Sequence, residues 1–201
     1  MPLFKPEATS GTGASWLGYQ VCGVESFEDK SGAYDWAPLY LKVNLKLENS
    51  KYPQDYKIAG SFEKNPNGTI KDNTLLRKIY NLMDVLGDEC GVNAIGEWEV
   101  NDRPIPDIAE YLNDKYSPQF PEEPQMNNLV YIYEKFNQRD DKAYNECAGR
   151  IYRNDDDGKA ELEGYVNFMK GKGYIKEHVT GEVVGAQQRN SMTSSVEQSN
   201  F

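Results

Sequence analysis

The side chains best suited to nucleophilic or metal chemistry are few and widely spaced in this sequence. The three cysteines, Cys22, Cys90 and Cys147, form no Cys-x-x-Cys pair, and the one histidine, His178, lies beside a polar C-terminal stretch. A zinc site needs closely spaced Cys and His ligands, and a nucleophile needs a neighbouring base. We therefore expect three reduced thiols in the core, no metal or cofactor, and no enzymatic activity.

Other candidate motifs lack the required spacing. Residues 153–158 resemble a calcium loop in composition, but loop positions one and twelve would be Arg153 and Gly164, which carry no carboxylate. An acidic turn that caps a following helix is the better interpretation. No dinucleotide, P-loop or nucleophile-elbow motif occurs. A pair of carboxylates acting as acid and base stays open as an alternative, because an acidic chain offers many such pairs.

The most informative pattern is the alternation of aromatic and basic side chains with aliphatic ones. Residues 39–48 alternate Leu or Val with polar residues, which predicts a β-strand with one buried and one exposed face. Residues 128–136 and 146–153 show a similar alternation, which predicts one buried and one exposed face for each of these strands as well. The side chains predicted on the exposed faces are Tyr40, Lys42, Lys46, Tyr131, Tyr133, Lys135, Arg150 and Tyr152, with Lys57, Lys64 and Lys71 at the rim.

Aromatic rings interleaved with cations on a sheet are what a platform for single-stranded nucleic acid requires. Bases stack on the rings for about 1–3 kcal/mol each, and the cations follow the phosphates. The alternative is that exposed Tyr and Lys side chains only make cross-strand pairs within the sheet. The alternation recurs on three strands, which favours the platform.

The charge of the chain limits how such a platform could be built. The 201 residues carry 22 Lys and Arg against 32 Asp and Glu, a net charge of −10, which excludes a uniformly basic coat for nucleic acid. Residues 39–78 hold eight bases and four acids, whereas residues 97–123 hold two bases and eight acids. This asymmetry can place one basic face on an acidic protein. A mean hydropathy of −0.76 argues against a transmembrane helix.

The elements that must position these side chains follow from periodicity and turn residues. The pattern predicts the order β–β–β–α–β–α–β–β–α, which is typical of an α+β protein with mainly antiparallel strands or a small barrel with inserted helices. We expect a flexible arm at 1–15, a barrel domain at 16–153, an appended helix within 154–180 and a disordered tail at 181–201. The predicted strands are 16–27, 39–48, 55–63, 92–100, 128–136 and 146–153, and the helices are 72–86, 106–116 and 159–170.

From residue 16 to about 153 the chain resembles the OB-fold single-stranded DNA-binding proteins of tailed bacteriophages. The likeness lies in an ordered set of segments: Trp-Leu-Gly-Tyr at 16–19, LYLKVNLKLENS at 39–50, Gly-Ser-Phe at 60–62, Leu-Gly at 86–87, Gly-Glu-Trp at 96–98 and Asn-Leu-Val at 128–130. The resemblance implies a barrel of about five strands that binds single strands without sequence preference. It also implies a C-terminal tail that recruits replication proteins, although here only one acid closely precedes the terminal Phe201.

Two other functions stay open. A virion structural or assembly protein would use both terminal segments as arms that become ordered on neighbouring subunits, and a homo-oligomer fits that function. An acidic mimic of nucleic acid would occupy the cleft of a DNA-binding protein. Since the start of the sequence lacks an apolar leader, we expect a cytoplasmic protein without membrane partners, in the host cell if the protein is viral.

Overall fold

The computed structural model describes residues 17–119, 122–137 and 142–175 of the protein. The arm predicted at 1–15 and the tail predicted at 181–201 lie outside these residues. No helix in the described ranges is long and apolar enough to span a lipid bilayer.

Nine strands and three helices make up the described part of the chain. In chain order they are β1 (Gly18–Asp29), β2 (Leu39–Leu47), β3 (Gln54–Gly60), α1 (Thr74–Leu86), β4 (Gly91–Val92), β5 (Trp98–Val100), β6 (Arg103–Pro104), α2 (Ile108–Tyr116), β7 (Asn128–Asn137), β8 (Lys142–Cys147), β9 (Tyr152–Arg153) and α3 (Asp156–Gly171).

The main sheet is antiparallel and has the order β3-β2-β1-β7-β8, with β9 paired to β7. The edge strands β3 and β8 approach each other, and the Gln54 side chain donates to the Asn145 carbonyl at 3.5 Å. The backbone pairing of the described residues does not close the sheet into a barrel. The predicted α+β class with mainly antiparallel strands is confirmed, and the open sheet is roughly consistent with an OB-like arrangement.

The predicted helix at 72–86 and the predicted strand at 39–48 are confirmed, because capping residues and alternation act within each element. The Asn73 side chain accepts the Leu76 N–H at 3.0 Å and caps α1, and Gly87 ends that helix with a φ of 69°. The inward residues of β2, Leu41, Val43 and Leu45, are all buried.

Two predicted strands are wrong in detail. Residues 92–100 form the two short strands β4 and β5 rather than one strand, because a turn centred on Gly96 reverses the chain. Residues 146–153 are interrupted near Gly149, so β8 and β9 pair separately with β7. Strand β1 also carries a bulge, since its register against β2 shifts between Val24 and Ser26.

The described residues form two hydrophobic cores, one on each face of β7. Val130 and Ile132 point into the larger core, which fills the inner face of the main sheet beneath α1 and α2. The alternate residues Leu129 and Tyr131 point the other way and pack against α3. The smaller core consists of Leu129, Tyr131, Ala148, Tyr152, Leu162, Val166 and Ile175.

A buried carboxylate fastens α2 to the end of α1. The side chain of Asp88 is fully buried and accepts hydrogen bonds from the Tyr111 and Tyr116 hydroxyls, Lys115 Nζ and the Cys90 N–H. Burial alone would raise the pKa of Asp88, but the hydrogen bonds from Lys115, Tyr116 and the Cys90 N–H lower it below the usual value. The ionised form of Asp88 is therefore part of the stable fold.

Candidate functional site

An exposed aromatic cluster is formed by Tyr34, Trp36 and Tyr40 at the β1–β2 loop. The ring centroids lie 5.9 Å apart for Tyr34 and Trp36, 5.7 Å for Tyr34 and Tyr40, and 6.1 Å for Trp36 and Tyr40. Trp36 is 64% exposed and Tyr34 is 48% exposed. Apolar rings at this level of exposure gain little from the fold itself and are available to stack on a ligand.

The loop that carries these rings is held by local hydrogen bonds. Ser31 Oγ accepts the Tyr40 N–H at 2.9 Å, and the Ala37 N–H donates to the Tyr34 carbonyl at 3.0 Å. The turn brings Tyr34 and Trp36 over Tyr40, which is only 9% exposed. The prediction that Tyr40 is exposed is therefore wrong, because the loop folds back over the outer face of β2.

The lysines of the β1–β2–β3 face lie among carboxylates from the neighbouring strands. Lys42 Nζ is 3.1 Å from Glu28 and 3.3 Å from Asp55, and the same two acids pair with Lys30 at 2.9 Å and Lys57 at 3.9 Å. Of the predicted basic residues, Lys42 and Lys57 thus share this face, but Glu28 and Asp55 compensate most of the positive charge.

Hydrogen bonds fix the charge state of this network. The Asn44 amide donates to Glu28 Oε1 at 2.7 Å, and with the bonds from Lys30 and Lys42 it lowers the pKa of Glu28 to about 2. Burial by itself lowers the pKa of Lys42, but its hydrogen bond to Glu28 and the charge of Asp55 raise it overall. Glu28 and Lys42 therefore stay charged near neutral pH.

Two other predicted lysines lie outside this network. Lys46 is paired with Glu123 of the segment that follows α2. Lys64 is exposed beside the turn at 65–68 and forms an isolated antiparallel β-bridge with Ile70.

Tyr131 and Tyr152 are in the smaller core rather than on an exposed face. Tyr131 is 7% exposed and packs edge-on against Tyr19 at 4.9 Å, and Tyr152 is 5% exposed. The predicted parity of Tyr131 is correct, since Val130 and Ile132 face the larger core. The predicted exposure of both rings is wrong, because α3 covers the outer face of β7 and β9.

Tyr133, Lys135 and Arg150 are the other predicted residues of β7 and of the bend between β8 and β9. Tyr133 is half-buried, and burial raises its pKa to about 12. Lys135 is exposed and pairs with Glu146 at 2.8 Å. Arg150 is half-buried, and its guanidinium carbon lies 5.1 Å from the ring centre of Tyr165 on α3.

Next to Arg150 is a groove that the sequence did not predict. It has a volume of about 430 Å³ and is lined by Arg150, Tyr152, Glu161, Tyr165 and Phe168. The helical spacing of Tyr165 and Phe168 gives a weak signal for a shared surface. Nothing in the sequence indicates that Arg150 lies against it, because the bend at Gly149 sets that position.

The described residues hold no arrangement of three or more His, Cys, Asp or Glu side chains that could bind a metal ion. Cys22, Cys90 and Cys147 are buried free thiols, as predicted. Burial raises the pKa of each of them, so none is an activated nucleophile.

The fold and surfaces define this chain as an α+β protein with a mainly antiparallel sheet and two exposed aromatic surfaces beside cations. Comparisons with models of protein families, with curated proteins and with solved structures found no match.

Proposed function

We propose that this protein binds single-stranded DNA without sequence preference, in the replication or recombination of a virus or phage. The observation that carries the proposal is the aromatic cluster, in which Trp36 is 64% exposed and packs against Tyr40, two residues before Lys42 on β2. OB-type sheets bind oligonucleotides on the face of strands two and three and on the loop between strands one and two. The aromatic cluster occupies the corresponding loop of this sheet.

The surface explains how an acidic protein could hold a polyanion. Stacking of a base on an aromatic ring contributes about 1–3 kcal/mol and does not require a positive protein. Lys30, Lys42 and Lys57 lie on the same face and can follow the phosphates, although Glu28 and Asp55 offset much of their charge. We therefore expect binding that depends on stacking more than on counterion release, with a shallow dependence on salt.

The proposed binding residues differ from those that the alternation of the strands predicts. Tyr34 and Trp36 take the stacking role first predicted for Tyr131 and Tyr152, whose rings are covered by α3. Recruitment of replication proteins by the C-terminal tail and assembly into a homo-oligomer belong to the same proposal. We place the protein in the cytoplasm of the host cell.

The test is the titration of fluorescent oligo-dT with the full-length protein and its variants. Trp36→Ala should weaken binding by roughly 5- to 100-fold, because one stacked base is lost, and should leave the melting temperature nearly unchanged. Tyr80→Ala is the matched control, since Tyr80 is a half-exposed ring on α1, away from the aromatic cluster.

Absence of oligo-dT binding by the unmodified protein at low salt would overturn the proposal in favour of a virion assembly protein or an acidic mimic. Equal affinities of Trp36→Ala and the unmodified protein would overturn the assignment of the aromatic cluster.

A further inference from the structure

Two cations lie at the groove beside α3: Arg150 lines it, and Lys78 of α1 lies close to the neighbouring Gly149. Neither Lys78 nor Arg150 forms an ion pair within the described residues. By contrast, Lys42 on β2 is paired with both Glu28 and Asp55. The charge of Glu146 acts on Lys78 from beyond ion-pair distance, and Glu161 lines the groove. Partly buried cations outside any direct ion pair favour an anionic ligand, because the ligand can supply the direct partner.

Gly149 brings the two cations and a hydroxyl together. A methyl group placed on Gly149 would lie 3.0 Å from Tyr165 Oη, 3.1 Å from Lys78 Cε and 3.6 Å from Lys78 Nζ. Arg150 follows directly and lies over the ring of Tyr165. Glycine at position 149 therefore lets Lys78, Arg150 and Tyr165 approach one another beside the groove.

One end of the groove is apolar and open. Phe168 is 56% exposed, and Lys172 Nζ lies 5.8 Å from the centre of its ring. An exposed ring flanked by a cation is a surface on which a base can stack. Glu161 adds a carboxylate, which can accept hydrogen bonds from a base and disfavours a second phosphate.

We propose that this groove binds a nucleotide through its phosphate, with Arg150 and Lys78 on the phosphate and Phe168 against the base. The volume of about 430 Å³ lies within the usual range for small-ligand sites. The phosphate could belong to a free nucleotide or to the end of a DNA strand, and the chemistry of recognition is the same. The site shares no residue with the aromatic cluster, so this inference goes beyond the proposed function.

The experiment measures binding of dTMP, thymidine and inorganic phosphate to the full-length protein by calorimetry. We expect dTMP to bind at least tenfold more tightly than thymidine or inorganic phosphate. Arg150→Gln and Lys78→Gln should each weaken dTMP binding about tenfold, since charge-assisted hydrogen bonds are the strong ones. Arg77→Gln is the matched control, because Arg77 neighbours Lys78 on α1 but pairs with Asp72 at 2.7 Å.

A second pair of variants tests the stacking surface. Phe168→Ala should weaken dTMP binding about fivefold or more, whereas Tyr80→Ala should leave it unchanged. Trp36→Ala should also leave dTMP binding unchanged, so this site can fail or hold independently of the aromatic cluster. Melting temperatures near that of the unmodified protein ensure that each loss is a loss of contact.

Oligo-dT with and without a 5′-phosphate distinguishes the two sources of phosphate. If the 5′-phosphate raises affinity and Arg150→Gln abolishes the gain, the ligand is a strand end. If dTMP binds and the 5′-phosphate adds nothing, the ligand is a free nucleotide. The inference is overturned if dTMP does not bind, if thymidine binds equally well, or if the Lys78 and Arg150 variants bind dTMP normally.

Discussion

Removing the two acids of the β1–β2–β3 face should strengthen DNA binding and make it more sensitive to salt. In the folded protein Glu28 and Asp55 pair with Lys30, Lys42 and Lys57, so three cations and two anions leave a local charge of about +1. The double variant Glu28→Gln with Asp55→Asn leaves about +3. The same lysines then face the phosphates without competing carboxylates.

The size of the effect follows from counterion release. Each additional phosphate that a cation neutralises adds roughly 0.7 to the slope of log affinity against log salt for single strands. Two freed cations should therefore steepen the slope by about 1.4. Exposed charge pairs are worth up to about 1 kcal/mol each, so affinity at low salt should rise by roughly 5- to 30-fold.

The assay is oligo-dT titration at several KCl concentrations. Glu110→Gln with Asp114→Asn is the matched control, because it changes the net charge equally on the exposed side of α2. An unchanged slope in the Glu28/Asp55 variant would refute the assignment of this face. An equal rise in the control would do the same, since net charge alone would then explain the effect.

Three further variants test the fold on which these surfaces depend. Tyr131→Ala should lower the free energy of unfolding by about 3–5 kcal/mol, because it leaves a cavity in the smaller core. An unchanged midpoint of urea unfolding would contradict the burial of Tyr131 in that core. Asp88→Asn should lower the free energy of unfolding by about 1.5–3 kcal/mol at pH 7. Because the fold lowers the pKa of Asp88, this difference should vanish as the pH falls below that pKa. Unfolding curves from pH 7 to pH 2 measure it, and a difference that persists at low pH would contradict the prediction. Gly158→Ala should destabilise α3, since its Cβ would lie 2.1 Å from the Arg153 carbonyl oxygen. Gly164→Ala has open space around its Cβ and should stabilise the protein by up to about 1 kcal/mol. Changes in melting temperature that are not opposite in sign for the two variants would contradict this packing.

The sequence predicted which side chains share a face of each strand better than it predicted which faces are exposed. Alternation shows which side chains share a face, and Val130 and Ile132 point inward as expected. It does not show whether the other face meets water or another layer. The apolar stripe of α3, with Leu162 and Val166, required a surface to cover, and Tyr131 lies on that surface.

The charge network was beyond prediction because it depends on one bulge. The irregularity between Val24 and Ser26 shifts the register of β1, so Glu28 lies directly opposite Lys42. A bulge leaves little trace in composition. The exposure of Trp36 was equally hidden, since a loop without periodicity gives no indication of which way its rings face.

The central position of β1 in the sheet has a consequence for synthesis on the ribosome. One edge of β1 pairs with β2, which follows closely, but the other edge pairs with β7, where Tyr19 is opposite Tyr131. At roughly 5 to 20 residues per second, that edge waits about 5 to 20 s for its neighbour to be translated. During this interval the nascent chain presents an unpaired strand edge with exposed tyrosine, which is prone to pairing between chains. Slower elongation between β3 and β7 should therefore lower the yield of folded protein.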